Sequence, residues 1–277
     1  VEGNFITLNN NKVYVTTIGE GEPIVFLHGG PGSEHRFFLP YVKPLAAKYK
    51  LVLYDQRGCG KSDPIADNQY SMEEEVRTLE LLRKELELEQ INLFGESWGS
   101  MLALLYATSY PEKVNKIFLT AAIGMSATGF KAFEQELLKK MSFKDKAKLF
   151  LLDKKMQRGK ATIENILDIL DPYYVFSKDT LRNKVRYNMN STVNHVIGED
   201  IKKQYYLTEK AHKLLDIPIM VAQGSHDILP PEKIHSLLVK YIPHARLMEI
   251  KNCGHWTVVE KPNEINSLAF QFFARDK

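Results

Sequence analysis

Short apolar runs alternate along this chain with longer stretches in which apolar residues recur every three or four positions. The runs fall at 24–27, 51–54, 91–94, 114–120, 219–222 and 247–250. Runs of this kind fit strands buried on both faces, and the helical periodicity between them predicts a parallel sheet covered by helices on both sides. Two earlier strands, 5–8 and 12–17, flank Asn9, Asn10 and Asn11, a turn-forming linker that predicts an antiparallel hairpin at the sheet edge. Ser71, with Glu74 three residues on, forms a capping box opening a helix that runs to about Leu88. Pro231 and Pro262 stand where first helical turns should begin. The pattern predicts eight strands, mostly parallel, and does not order them.

The alternation stops between about Gly124 and His212. No run there fits a buried strand. Phe133, Leu137, Leu138 and Met141 keep helical spacing, as do Leu149, Leu152 and Met156, and then Ile163, Ile166, Leu167 and Leu170. Lysines are frequent, and aromatic residues gather at Tyr173, Tyr174, Phe176, Tyr187, Tyr205 and Tyr206. The expected arrangement is a core of residues 1–123 and 213–277 with a helical cap, 124–212, inserted after the sixth strand. Ligands of open α/β sheets bind beyond the carboxyl ends of the strands, and a pocket there needs a roof. The aromatics serve either that pocket or the cap's own core; the lysines form a solvated face.

Composition narrows the class of function. With 277 residues, 44% of them hydrophobic and 26% charged, the chain can bury a full core, and it contains no repeat or low-complexity segment. Its 37 Lys+Arg against 34 Asp+Glu leave a net charge of +3, too small to argue for nucleic acid or anionic lipid, so neither is expected as a partner. There is no apolar run of about 18 residues and no basic-then-apolar opening, so a cytoplasmic location without a membrane partner is expected. The two cysteines, Cys59 and Cys253, suit a reducing compartment and leave a bridge between them open.

The chemistry is carried by Gly95-Glu96-Ser97-Trp98-Gly99, which lies between the 91–94 run and an apolar helical stretch. A serine on a sharp strand-to-helix turn projects its hydroxyl above the sheet, and the flanking glycines avoid collisions with neighbouring backbone. Ser97 is therefore the candidate nucleophile. A serine hydroxyl needs a base, an acid to orient that base, and donors for an oxyanion. In the order nucleophile, acid, base, Asp227 lies just past the 219–222 strand and His255 just past the 247–250 strand. His28-Gly29-Gly30-Pro31-Gly32 follows the 24–27 strand, so the N–H of Gly30 can join that of Trp98 as an oxyanion hole. His28 is assigned to loop structure. Asp55, which also ends a strand, is expected to hold its own turn through Arg57 and backbone hydrogen bonds. Gly60-Lys61-Ser62 could end a phosphate-binding loop, but Asp55 stands where that loop needs glycine. No metal-ligand spacing is present, so neither metal nor cofactor is expected.

The segments 28–32, 55–62 and 95–100, with Gly254-His255, together resemble the proline iminopeptidase (prolyl aminopeptidase) family of α/β-hydrolases. The likeness covers 1–123 and 213–277. It implies the α/β-hydrolase fold and a serine peptidase that removes an N-terminal residue, typically proline, from a short peptide, with a small-molecule substrate as the variant. Family members that take a free N-terminus hold its ammonium with carboxylates from the cap and the acid loop. This chain departs there, since Ile228 follows Asp227. Glu96, Glu199, Asp200 and Glu209 are the candidate substitutes, and Tyr205 is a candidate aromatic contact. A carboxylesterase or lactonase, and a catalytically silent binding protein on the same fold, are the competing expectations.

Overall fold

An eight-stranded sheet forms the centre of the structure, a computed structural model that describes residues 2–156, 158–182, 184–185 and 188–274. Its strands are β1 (Asn4–Leu8), β2 (Asn11–Ile18), β3 (Glu22–Leu27), β4 (Tyr49–Tyr54), β5 (Ile91–Glu96), β6 (Val114–Thr120), β7 (Ile219–Gly224) and β8 (Arg246–Ile250). They lie in the order β1-β2-β4-β3-β5-β6-β7-β8. β1 and β2 pair antiparallel, β2 meets β4 antiparallel, and the remaining neighbours run parallel. The opening hairpin closes because Asn9 and Asn10 take positive φ, 47° and 65°, which suits the twist of the flanking strands and suits asparagine better than most residues.

Side chains along the central strands alternate between the two faces, and each face has its own core. Phe26, Phe94 and Phe118, from the adjacent strands β3, β5 and β6, form an aromatic row with successive ring centroids 4.9 Å apart. Burying each such ring stabilises the fold by roughly 1.5–3 kcal/mol. Leu27, Leu93 and Leu119 point to the opposite face, towards α1 (Met72–Glu85) and α2 (Trp98–Ser109). Ser71 caps α1 by accepting from the Glu74 N–H at 3.2 Å. That helix stops at Glu85, short of Leu88, because Glu87 takes φ +53°.

Between β6 and β7 the chain forms α3 (Ala127–Lys140), α4 (Phe143–Met156), α5 (Ile163–Tyr174) and α6 (Ser191–Gln204). After β7 come α7 (Pro231–Leu237), α8 (Thr257–Glu260) and α9 (Pro262–Phe273), with Pro231 and Pro262 in first turns as their fixed φ favours. Cys59 and Cys253 are both buried and free. Among the described residues no helix is long and apolar enough to cross a membrane. Tyr187 lies outside the described residues.

Candidate active site

The order reverses at β3, which lies between β4 and β5, so the loops leaving β3 and β5 diverge and open a crevice at their carboxyl ends. Ser97 leaves β5 there. Its backbone is strained, with φ 54° and ψ −116°, in a region that L-residues rarely adopt. The turn is so tight that a Cβ on Gly95 would lie 2.4 Å from the Gly99 carbonyl oxygen, and one on Gly99 would lie 1.9 Å from that of Leu27. Both flanking residues must therefore be glycine for α2 to start immediately after the serine.

The partners named from the sequence converge on it. His255 Nε2 lies 2.9 Å from Ser97 Oγ, and His255 Nδ1 lies 2.9 and 3.1 Å from the two carboxylate oxygens of Asp227. With Nδ1–H donating to the carboxylate, Nε2 is left to accept from the serine hydroxyl. Burial alone would lower the histidine's pKa, but the charge and hydrogen bond of Asp227 outweigh it, so the pKa ends above its ordinary value. Asp227 is itself fixed, since Oδ2 accepts from Gln223 Nε2 at 2.9 Å and Oδ1 from the Leu229 N–H at 3.1 Å.

The glycine loop is tied down from two sides. His28 is buried, which lowers its pKa to about 4; the neutral ring accepts from the Gln56 N–H at 3.0 Å. Gln56 also donates to the His28 carbonyl at 2.9 Å and accepts from Trp98 Nε1 at 2.8 Å, which links the loop to the first turn of α2. On the other side, α6 and its cap reach over: Asn194 Nδ2 donates to the Pro31 carbonyl, and the Asn190 N–H to that of Gly32, each at 2.8 Å. Gly32, at φ +95°, has no room for a side chain, because a Cβ would lie 2.4 Å from the Asn190 carbonyl. Among the described residues neither the Gly30 nor the Trp98 N–H donates within the chain, so both amides are free to take an oxyanion beside Ser97. Asp55 holds its turn through backbone hydrogen bonds, as expected, but not through Arg57. It accepts from the N–H and Nδ1 of His35, both at 2.8 Å, and from the Lys61 N–H, while Arg57 pairs with Glu74.

Above Ser97 and His255 is a cavity of about 270 Å³. One wall is α5, whose stripe of Ile163, Ile166, Leu167 and Leu170 faces inward. Phe133 of α3 and Tyr174 pack on the histidine ring, at 4.7 and 5.6 Å between centroids. The polar side chains reaching the cavity beyond Ser97 and His255 include Ser33, Glu96, Asp171 and Asn194. Glu96 has no hydrogen-bond partner among the described residues, and burial raises its pKa to about 8. A Cβ on Gly29 would lie 2.3 Å from Glu96 Oε2. Asp171 is paired with Lys184; burial still holds its pKa above the ordinary carboxylate value.

Of the tentative substrate contacts, only Glu96 reaches this cavity. Glu199 and Asp200 lie on the outer side of α6, because Val193, Ile197 and Ile201 turn its other side into the core. Glu199 pairs with Lys202, and Asp200 accepts from the Met72 N–H at 2.8 Å at the start of α1. Glu209 is exposed on a short helical turn. Tyr205 is fully buried, with its hydroxyl donating to the Gly124 carbonyl at 2.8 Å, and so belongs to the core. Asp171, Gln223, Asn190 and Asn194 were missed. Asp171 carried a usable signal, being an acid within the apolar stripe of α5. Among the described residues no three His, Cys, Asp or Glu side chains gather as a metal-binding set.

Comparisons with known proteins bear on the family and the fold. The family model described as alpha/beta hydrolase fold matches residues 22–262. The proline iminopeptidase of Lactobacillus crispatus is 28% identical over 282 residues, covering 91% of each chain. Among solved structures, an alpha/beta fold family hydrolase from Bacillus anthracis superposes with a TM-score of 0.82 at 23% identity, over 98% of this chain and 99% of that one. The proline iminopeptidase of Mycobacterium smegmatis gives 0.73 at 20% identity, over 98% and 97%. The resemblance to proline iminopeptidases thus runs the length of the chain, and the structural likenesses establish the fold.

Proposed function

This chain belongs to the alpha/beta hydrolase fold family, and on that premise we propose that it is a serine hydrolase acting by acyl transfer, an aminopeptidase of the proline iminopeptidase type. The observation that carries the proposal is the unbroken relay from Ser97 Oγ through His255 to Asp227 at the floor of a cavity walled by the apolar stripe of α5. Ser97 attacks the scissile carbonyl while His255 Nε2 takes its proton. Asp227 stabilises the imidazolium that forms, and the Gly30 and Trp98 amides hold the oxyanion. Collapse of the tetrahedral intermediate expels the amine, which His255 protonates. Water, activated by the same histidine, then releases the acyl group. Residues 124–212 act as the cap that excludes bulk water from these steps.

The free N-terminal amine of the substrate is held by Glu96. A desolvated ammonium needs a carboxylate, and this one stands beside the nucleophile with no other partner. A second reading, hydrolysis of a small ester or lactone, rests on the same cavity. Asp171 is already paired with Lys184, so among the described residues that line the cavity a single unpaired acid is left for an amine. Rates on prolyl, alanyl and leucyl arylamides, their N-acetylated forms, and short-chain esters separate the two. The aminopeptidase reading expects free amines to be preferred over blocked ones. Equal turnover of both, or activity confined to esters, leaves the esterase reading.

A further inference from the structure

His255 sits in a loop between β8 and α8 that has no regular structure of its own, yet its Nε2 is placed at hydrogen-bond distance from Ser97. The backbone around it is held from outside. The N–H groups of His255 and Trp256 donate to the Tyr174 carbonyl, at 2.7 and 3.3 Å, where α5 ends. The preceding Gly254 N–H donates to Glu260 Oε2 at 2.6 Å. The same carboxylate accepts from Phe176 N–H at 2.9 and 3.0 Å and from Ser177 N–H at 2.9 Å, with Thr180 Oγ1 at 3.4 Å. One side chain thus gathers three backbone amides from two segments, and hydrogen bonds to a charged acceptor are about twice as strong as neutral ones. The two segments touch so closely that a Cβ on Gly254 would lie 2.6 Å from the Tyr174 carbonyl oxygen and 2.9 Å from the Phe176 nitrogen.

We propose that Glu260 is a positioning residue that joins the histidine loop to the segment following α5, so that His255 stands in register with Ser97 only while that segment is docked. The helices over the cavity then do more than enclose the substrate: their seating is coupled to the base. The proposal rests on Ser97, His255 and Asp227 acting as the triad. Glu260 does not itself line the cavity and bonds to no triad side chain; its carboxylate takes the Gly254 N–H and its own N–H donates to the Trp256 carbonyl at 2.9 Å, so it acts through the backbone of residues 254–256.

The test uses the full-length protein with a reporter blind to acyl specificity: labelling of Ser97 by a fluorophosphonate, with kcat and KM on p-nitrophenyl acetate. Glu260→Gln keeps the shape of the side chain but turns an amide NH2 towards N–H donors. It should lower kcat and the labelling rate about a hundredfold, as displacements near 1 Å do, and leave KM within about twofold. Glu260→Asp should recover part of the loss, and exposed Glu264→Gln should match the unaltered protein. Gly254→Ala, which forces the same two segments apart, should reproduce the kcat loss should Glu260→Gln fold poorly. A folded Glu260→Gln with normal kcat and labelling, or a loss confined to KM, would overturn the proposal. Failure of the unaltered protein to label at all would instead overturn the triad reading beneath it.

Discussion

Lys140 Nζ, in the last turn of α3, donates to the backbone carbonyl of Asp227 at 2.7 Å and to that of His226 at 3.2 Å. A cation from the helices over the cavity therefore grips the loop that carries Asp227. Its positive charge also opposes protonation of His255. Replacing Lys140 by Met keeps the stem and removes the charge. The pKa of His255 should then rise, so the neutral, basic form is reached at higher pH. The acid limb of the kcat/KM profile on an ester should move upward, with kcat/KM on that limb reduced about tenfold for each unit by which the pKa rises. An unmoved limb would mean that Lys140 only packs.

Ser97→Ala should abolish fluorophosphonate labelling without loss of fold, because among the described residues the hydroxyl makes no hydrogen bond other than that to His255. Asp227→Asn should lower kcat by about 10⁴, as expected when the base loses its orienting acid. Asp55→Asn should instead act on stability, since Asp55 ties together His35 and Lys61 far from the relay. If the Asp55 variant folded normally but lost activity while Asp227→Asn kept it, the acid would be misassigned.

What could be read from the sequence was whatever depends on neighbours along the chain. Asn9 and Asn10 predict the hairpin because their own φ values close it, and the elbow predicts Ser97 because the glycines that make it are adjacent. Asp227 and His255 follow from lying just past strand ends, all of which emerge on one side of a parallel sheet. The strand order did not follow, since the pairing of β3 with both β4 and β5 is settled by long-range packing. Nor did the amine contacts. Glu199 and Asp200 look like cap acids, but three apolar residues of α6 bind its other face to the core and turn them outward. Gln223, Asn190 and Asn194 act through carbonyls and carboxylates brought near only by the finished fold.

Asp171 and Lys184 form an ion pair at the cavity wall, and breaking one side of a buried pair leaves an uncompensated charge. Lys184→Met should therefore cost more stability than Asp171→Asn with Lys184→Met together, by about 1–3 kcal/mol in a double-mutant cycle. Chemical denaturation of the three variants measures this. Additive losses would show that the pair contributes nothing by its pairing.

Glu75 is fully buried with no partner at hydrogen-bond distance from either carboxylate oxygen among the described residues, and burial raises its pKa to about 8 against the opposing charge and backbone N–H of Arg57. The unfolded chain releases this proton near the ordinary glutamate value of 4.5, whereas the folded chain keeps it until about pH 8. Stability should accordingly fall as pH rises through that window. Glu75→Gln removes the dependence, so its Tm relative to the unaltered protein should increase from pH 5 to pH 8. A difference in Tm that stays constant across the window would mean that Glu75 is ionised when folded.

Glu96 should give the amine-recognition step a pH signature of its own. With its pKa at about 8, the carboxyl is protonated at neutral pH and must release that proton to hold an ammonium. The α-amino group of a substrate loses its own proton near the same pH, about 8. Binding a carboxylate–ammonium pair therefore releases one proton below this pH and takes one up above it, so affinity should peak near 8. The titration of His255 enters the rate on an uncharged substrate in the same way. The ratio of kcat/KM for a prolyl arylamide to that for a short ester thus isolates the Glu96 step. That ratio should rise towards about pH 8 and then fall, and Glu96→Gln should flatten it and lower its maximum about tenfold or more, the loss of a charge-assisted bond. A flat ratio in the unaltered protein, or an unchanged peak in Glu96→Gln, would place the amine elsewhere or remove it from the substrate altogether.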